Sequence, residues 1–235
     1  MRLTSRPSLV RAVLGVAVAG GLALSLTACY STSDSESNNT APIHRENPEL
    51  PESEATPLAV VPDLSGGVDT QVAVDESFTS ALTLLGLTPA PVGDATFADG
   101  AFSFPITGGN VSYYDPEGEV RPYVQGDIQH DGSGISLSSG DTVVELTNFD
   151  IDPGASKLYG DVSVNGEPAA GHAYLFNLWG GTLEPLRTEG TDAVLEGTTV
   201  HVSSEAAELL NTTFETDLVP DELLVGVATI TVATQ

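Results

Sequence analysis

One cysteine in 235 residues excludes an internal disulfide and any cysteine-rich metal site. Basic residues are nearly as scarce. Seven Lys and Arg face 33 Asp and Glu, for a formal net charge of -26, and Lys157 is the only lysine. That balance argues against nucleic acid as a partner, because phosphate binding needs clustered Lys and Arg. No Gly-x-x-x-x-Gly-Lys phosphate loop is present, nor a Gly-x-Ser-x-Gly elbow, nor His-Glu-x-x-His among the four histidines. Aromatics make up only 6% with a single Trp, so a core must rest on Val, Leu, Ile and Ala. What the chain does have is 24 Gly and 15 Pro, with hydrophobic residues at 40%. That combination is rich in turns and still able to bury a core.

The N-terminus carries an address. Arg2, Arg6 and Arg11 precede an uncharged stretch, residues 12–28. It is short for a membrane span and matches the hydrophobic region of a secretory leader. The stretch ends Leu26-Thr27-Ala28-Cys29, which resembles the lipobox of bacterial lipoproteins. The resemblance implies cleavage between Ala28 and Cys29 and a diacylglycerol, with palmitate-type chains, on the Cys29 sulfur. Two acyl chains hold a protein on a membrane stably where one does so marginally. The expected location is therefore the outer face of the cell membrane, with the lipid as the membrane partner. Losing Arg2, Arg6 and Arg11 with the leader takes the net charge from -26 to -29. A domain so acidic is repelled by an anionic membrane surface.

Composition divides the chain into a signal peptide over residues 1–28, Cys29 with an acidic tether over 29–62, and one β-rich domain over 63–235. The tether alternates Ser31, Ser33, Ser35 and Ser37 with polar residues, then repeats Pro42, Pro48, Pro51, Pro57 and Pro62 among acids. Few of its residues repay the entropy of ordering, which predicts a disordered spacer. Beyond it, short apolar runs alternate with period two between turn residues. At least eight strands are expected over 101–106, 111–114, 123–130, 135–137, 142–147, 158–164, 172–179, 193–202 and 223–232. Asn165-Gly166 is the strongest hairpin signal, and Asp131-Gly132-Ser133-Gly134 reads as a turn closing the strand that ends at His130. Residues 75–85, stopped by Gly86, and residues 203–210, opened by Ser203, read as two short helices. The expected fold is mainly β: an antiparallel sandwich or barrel-like domain with two short α-helices.

Chemistry-bearing residues are few. Asp150 and Asp152 share one strand face, and Asp127 and Asp131 flank a turn. Calcium uses such oxygens, but acids at strand ends are usually solvated turn formers, so no metal site is expected. No catalytic residue is singled out. His130 stands before a glycine turn, Tyr113 and Tyr114 are adjacent, and His172 alternates with Tyr174. His and Tyr both serve as axial ligands of haem iron, whereas a tyrosine at a core edge and a histidine at a turn need no such role.

Several segments together resemble the HtaA domain of actinobacterial haem-uptake proteins. They are Glu76-Ser-Phe78, Ala98-Asp-Gly100-Ala-Phe, Gly126-Asp-Ile-Gln-His130-Asp-Gly, Leu146-Thr-Asn-Phe-Asp-Ile-Asp152 and Gly160-Asp-Val162. The resemblance covers about half of residues 29–235 as ordered fragments. It implies a β-rich fold with short helices, haem as the cofactor, and His130 as a partner of the haem or of its tyrosine ligand. At the helix position where the family carries that tyrosine, this chain has Ala81, which leaves Tyr113 or Tyr114 as the substitute. Three functions follow. The first is a lipid-anchored, non-catalytic module binding an unnamed small molecule or envelope component. The second is haem capture through His130 and a tyrosine. The third is hydrolysis of envelope polymers.

Overall fold

Period-two alternation broken by Gly, Asn and Pro folds the chain into thirteen strands and two α-helices over residues 55–234, the part that the computed structural model describes. The leader, the Ala28–Cys29 junction and the tether as far as residue 54 lie outside the described residues. The order opens β1 (Ala59–Val61), β2 (Asp69–Val74), α1 (Glu76–Leu85), β3 (Thr88–Gly93), β4 (Thr96–Ala98), β5 (Ala101–Pro105) and β6 (Gly108–Tyr113). It continues with β7 (Val124–Ser139), β8 (Thr142–Asp152), β9 (Lys157–Val164) and β10 (Glu167–Trp179). A 3-10 turn (Gly180–Thr182) leads to β11 (Arg187–Glu189), β12 (Asp192–Val202), α2 (Ser204–Thr213) and β13 (Leu224–Ala233).

All pairings are antiparallel and join in one sheet, ordered β1-β6-β7-β8-β9-β10-β12-β13-β2-β5-β4, with β11 added on β12 and β3 on β7. The sheet curls into a half-barrel. Its concave face carries the inward side chains of each strand, and these form one buried cluster from Leu64 to Val232. The mainly β, barrel-like expectation thus holds.

Local chemistry explains the elements. The Asp75 carboxylate caps α1 by accepting from the Ser77 amide at 2.7 Å, and left-handed Gly86 ends it. Phe78 and Leu82, four apart, bury one face. Ser203 caps α2 through the Ala206 amide at 3.0 Å and donates to the Tyr174 carbonyl at 2.8 Å, which docks the helix on β10. Asn165 and Gly166 both take positive φ, the turn that matches the strand twist between β9 and β10.

Three segments differ from expectation. The apolar triplet Ala59-Val60-Val61, inside the stretch expected as tether, pairs with Tyr113, Ser112 and Val111 as an edge strand. Its β-branched residues supply the strand preference that the surrounding prolines conceal. The expected turn at Asp131–Gly134 is instead a bulge within the long β7. There Gly132 is left-handed and donates to the Asn148 side chain at 2.9 Å, while the Leu146 carbonyl occupies the space a Gly134 Cβ would fill. Thr88-Pro-Ala-Pro-Val-Gly93 is not among the expected strands, yet it pairs with β7 from Ser138 to Ser133 as β3. It borders only one strand, and prolines are tolerated on such an edge.

Candidate functional site

The curled sheet does not close on a filled core. Inward side chains from β2, β5, β6, β7, β8, β10, β12 and β13 surround a chamber of about 620 Å³, within the ordinary range for small-molecule sites. Burial grades along two of the wall strands, β7 and β10. From exposed Gly180, just past the end of β10, it rises through half-buried Leu178 to buried Phe176, and on β7 from half-buried Val124 to Ile128 and His130. The chamber therefore has a mouth near Val124 and Gly180 and a floor near His130 and Phe176. Phe104, Phe149 and Phe176 line that floor edge to face, at centroid separations of 5.2 and 6.3 Å.

His130 is 1% exposed and forms part of the chamber wall. Its Nδ1 lies 3.3 Å from the Phe149 carbonyl oxygen and its Nε2 2.9 Å from Thr70 Oγ1. A carbonyl only accepts, so Nδ1 carries the hydrogen and Nε2 accepts from the Thr70 hydroxyl. Burial pushes the imidazole pKa down to about 4, against smaller opposing effects of the Phe149 carbonyl, Asp131 and Asp69. His130 is thus neutral at pH 7, with both nitrogens engaged.

Tyr113 also lines the chamber, but at the mouth. It pairs with Val124, six residues from His130 on β7, or about 20 Å along the strand. Tyr113 and His130 therefore do not meet on one ligand atom. Tyr114 alternates away and is not part of the wall; its amide donates to the Tyr123 carbonyl at 2.7 Å. Beside Tyr113 at the mouth stand Tyr123 and Arg121, which sequence reasoning did not select. The rings of Tyr113 and Tyr123 meet edge to face at 5.7 Å. Burial raises the Tyr123 phenol pKa, Tyr113 adds to this, and Arg121 pulls the other way. Ala81 lies half-buried on α1 and offers no donor. Residues that fit an iron ligand are therefore the two mouth phenols, Tyr113 and Tyr123, whose hydroxyls have no hydrogen-bond partner among the described residues.

The remaining candidates lie elsewhere. His172 has a positive φ, stacks on Tyr159 at 4.6 Å and comes within 4.0 Å of Asp150, away from the chamber. Asp127 accepts from Asn110 and from Gln129, each at 2.8 Å. Among the described residues no three His, Cys, Asp or Glu side chains converge as for a metal ion.

No protein-family model matches the chain, and no curated protein sequence does. Solved structures do. The C-terminal domain of HtaA from Corynebacterium glutamicum is 18% identical, covering 71% of this chain and 98% of its own length at a TM-score of 0.47. The heme binding protein HtaB from the same organism is 12% identical over 74% and 96%, at 0.44. A domain-swapped dimer of a variant of that HtaA domain is 16% identical over 68% and 91%, at 0.42.

Proposed function

We propose that the domain is a non-catalytic module that holds an apolar small molecule within its curled sheet. One observation carries this reading: the concave face leaves a chamber of about 620 Å³ walled by aliphatic and aromatic side chains. Deep in it, the polar side chains Thr70 and His130 bind each other, so none is poised to attack a substrate. Hydrolysis of an envelope polymer draws nothing from this wall. Its serine, Ser156, belongs to the loop after β8, whereas both His130 nitrogens are used at the floor. We further propose that residues 1–28 are removed and that lipid on Cys29 displays the domain at the outer membrane face on its acidic tether. Labelling with a radioactive fatty acid, lost in Cys29→Ala, tests that anchor.

The chamber is tested by titrating the full-length chain with a fluorophore that brightens in apolar surroundings. Saturable one-to-one binding, abolished by Ala193→Trp at the half-buried chamber wall, is expected. Binding that Ala193→Trp leaves intact would place the ligand elsewhere.

Haem is the second reading. The sequence resemblance implies it, and the structural observation favouring it is the pair of free phenols, Tyr113 and Tyr123, beside a guanidinium at the mouth. A phenol oxygen is an established donor to haem iron. Haemin titration followed at the Soret band, with Tyr113→Phe and Tyr123→Phe, decides it. Saturable binding lost in one of these variants supports haem, and binding indifferent to both removes it.

A further inference from the structure

We infer that the ligand of this chamber is an amphipathic acid, its apolar body inside the sheet and one carboxylate on Arg121 at the mouth. This rests on the chamber reading and names the class of molecule it admits. The described residues contain three cations. Arg187 is neutralised by Glu189 and by Glu196, the latter at 3.0 Å. Lys157 sits over the Tyr174 ring at 4.2 Å. Arg121 alone of the three has neither a carboxylate nor an aromatic face as partner, in a chain whose net charge is -26.

Its position is fixed all the same. One terminal nitrogen donates to the Val120 carbonyl at 2.8 Å and the other to the Pro116 carbonyl at 2.7 Å. A guanidinium has five N–H donors, so the remaining ones are oriented and unspent. Arg121 lines the chamber beside Pro122 and Tyr123, and is solvent-exposed. A carboxylate there would find a preset charge-assisted partner, while the attached apolar body leaves water against Leu178, Leu195 and Ile230. The rest of the domain repels anions, so a single negative group suits the site better than a multiply charged phosphate.

The test compares cis-parinaric acid, a fluorescent fatty acid, with its methyl ester on the full-length chain. The acid is expected to bind about ten-fold tighter than the ester, the scale of one charge-assisted hydrogen bond. Arg121→Gln should bring the acid to the level of the ester, and Arg121→Lys should restore part of the difference. Added salt should weaken the acid and leave the ester unchanged. Because the side chain also braces two carbonyls, the ester serves as the folding control: unchanged ester affinity in Arg121→Gln shows an intact chamber. Protoporphyrin and its dimethyl ester, run in parallel, separate a macrocyclic body from a linear one. Equal binding of acid and ester to the unmodified chain would overturn the inference while leaving the chamber standing. Failure of both esters and both acids to bind would overturn the chamber reading with it.

Discussion

His130 Nε2 lies 2.9 Å from Thr70 Oγ1, although their strands stand six places apart in the sheet. The bond spans the concave face and ties the two arms of the curl together from within. Thr70 is 3% exposed, so no water substitutes for either partner. Thr70→Val keeps the shape and strands the imidazole nitrogen, and should cost about 1–3 kcal/mol in urea unfolding. Thr70→Ser keeps the hydroxyl and should cost less. A Thr70→Val variant as stable as the parent, with the loss confined to Thr70→Ser, would show that the methyl group matters and the cross-link does not.

Burial of the same imidazole sets a pH dependence. The folded imidazole titrates near 4, against an ordinary value of 6.5. Between those values the unfolded chain binds a proton that the native one refuses, so stability falls as pH drops from 6.5 to 4 and this loss is complete below 4. At 1.36 kcal/mol per pH unit the loss approaches about 3 kcal/mol. The lowered carboxylates Asp75 and Asp161, held by Ser77 and by Asn148, act in the same direction but only as pH falls through the more acidic carboxylate range. Urea midpoints measured across this range should therefore begin to fall well above it. His130→Gln should flatten that early part. Imidazole NMR provides the check if the variant folds poorly: a His130 ring that charges near 6.5 would refute the assignment.

Much of the scaffold was readable because its signals are local. Asp75 and Gly86 bracket one helix, Ser203 opens the other, and Asn165-Gly166 turns a hairpin with both residues left-handed. What escaped depends on distant partners. Pro89 and Pro91 look like loop until an edge of β7 receives them, and Ala59–Val61 becomes a strand only beside β6. The site behaves likewise. His130 stands out in the sequence, but its partner Thr70 is 60 residues away and has no distinguishing neighbours. Tyr113 was selected for adjacency to Tyr114, whereas alternation sends only the first into the chamber. Arg121 did leave a trace, as one of very few cations in an acidic chain.

Backbone crowding separates two glycines that look alike in sequence. Gly126 has φ of 122° and pairs with Val111 near the chamber mouth, where an added Cβ would run into the Asn110 carbonyl. Gly166 has φ of 80° with nothing within 4 Å of the same position. Gly166→Ala should cost about 1–2 kcal/mol, the left-handed penalty alone. Gly126→Ala must also push β6 off β7, and should exceed that figure and weaken ligand binding. Thermal unfolding of the two variants side by side checks the order; the reverse order would mean that β6 gives way at little cost.

Asp150 is the place where the acidic surface works against the fold. Its Oδ1 is buried without a hydrogen-bond partner, and burial raises its pKa, reinforced by Asp127, Asp152 and Asp131 and partly offset by His172. A raised carboxylate pKa means that the native state holds a proton the unfolded chain has released. Stability therefore falls as pH climbs through that window, and the cost is fully present at pH 7. Asp150→Asn removes the charge and supplies donors. The side chain is 35% exposed, so solvent screens the gain to a few tenths of a kcal/mol. The variant should melt above the parent at pH 7, the difference should shrink with added salt, and it should vanish once the carboxylates are protonated. A variant that melts lower at pH 7 would mean that the His172 contact outweighs the crowding of acids.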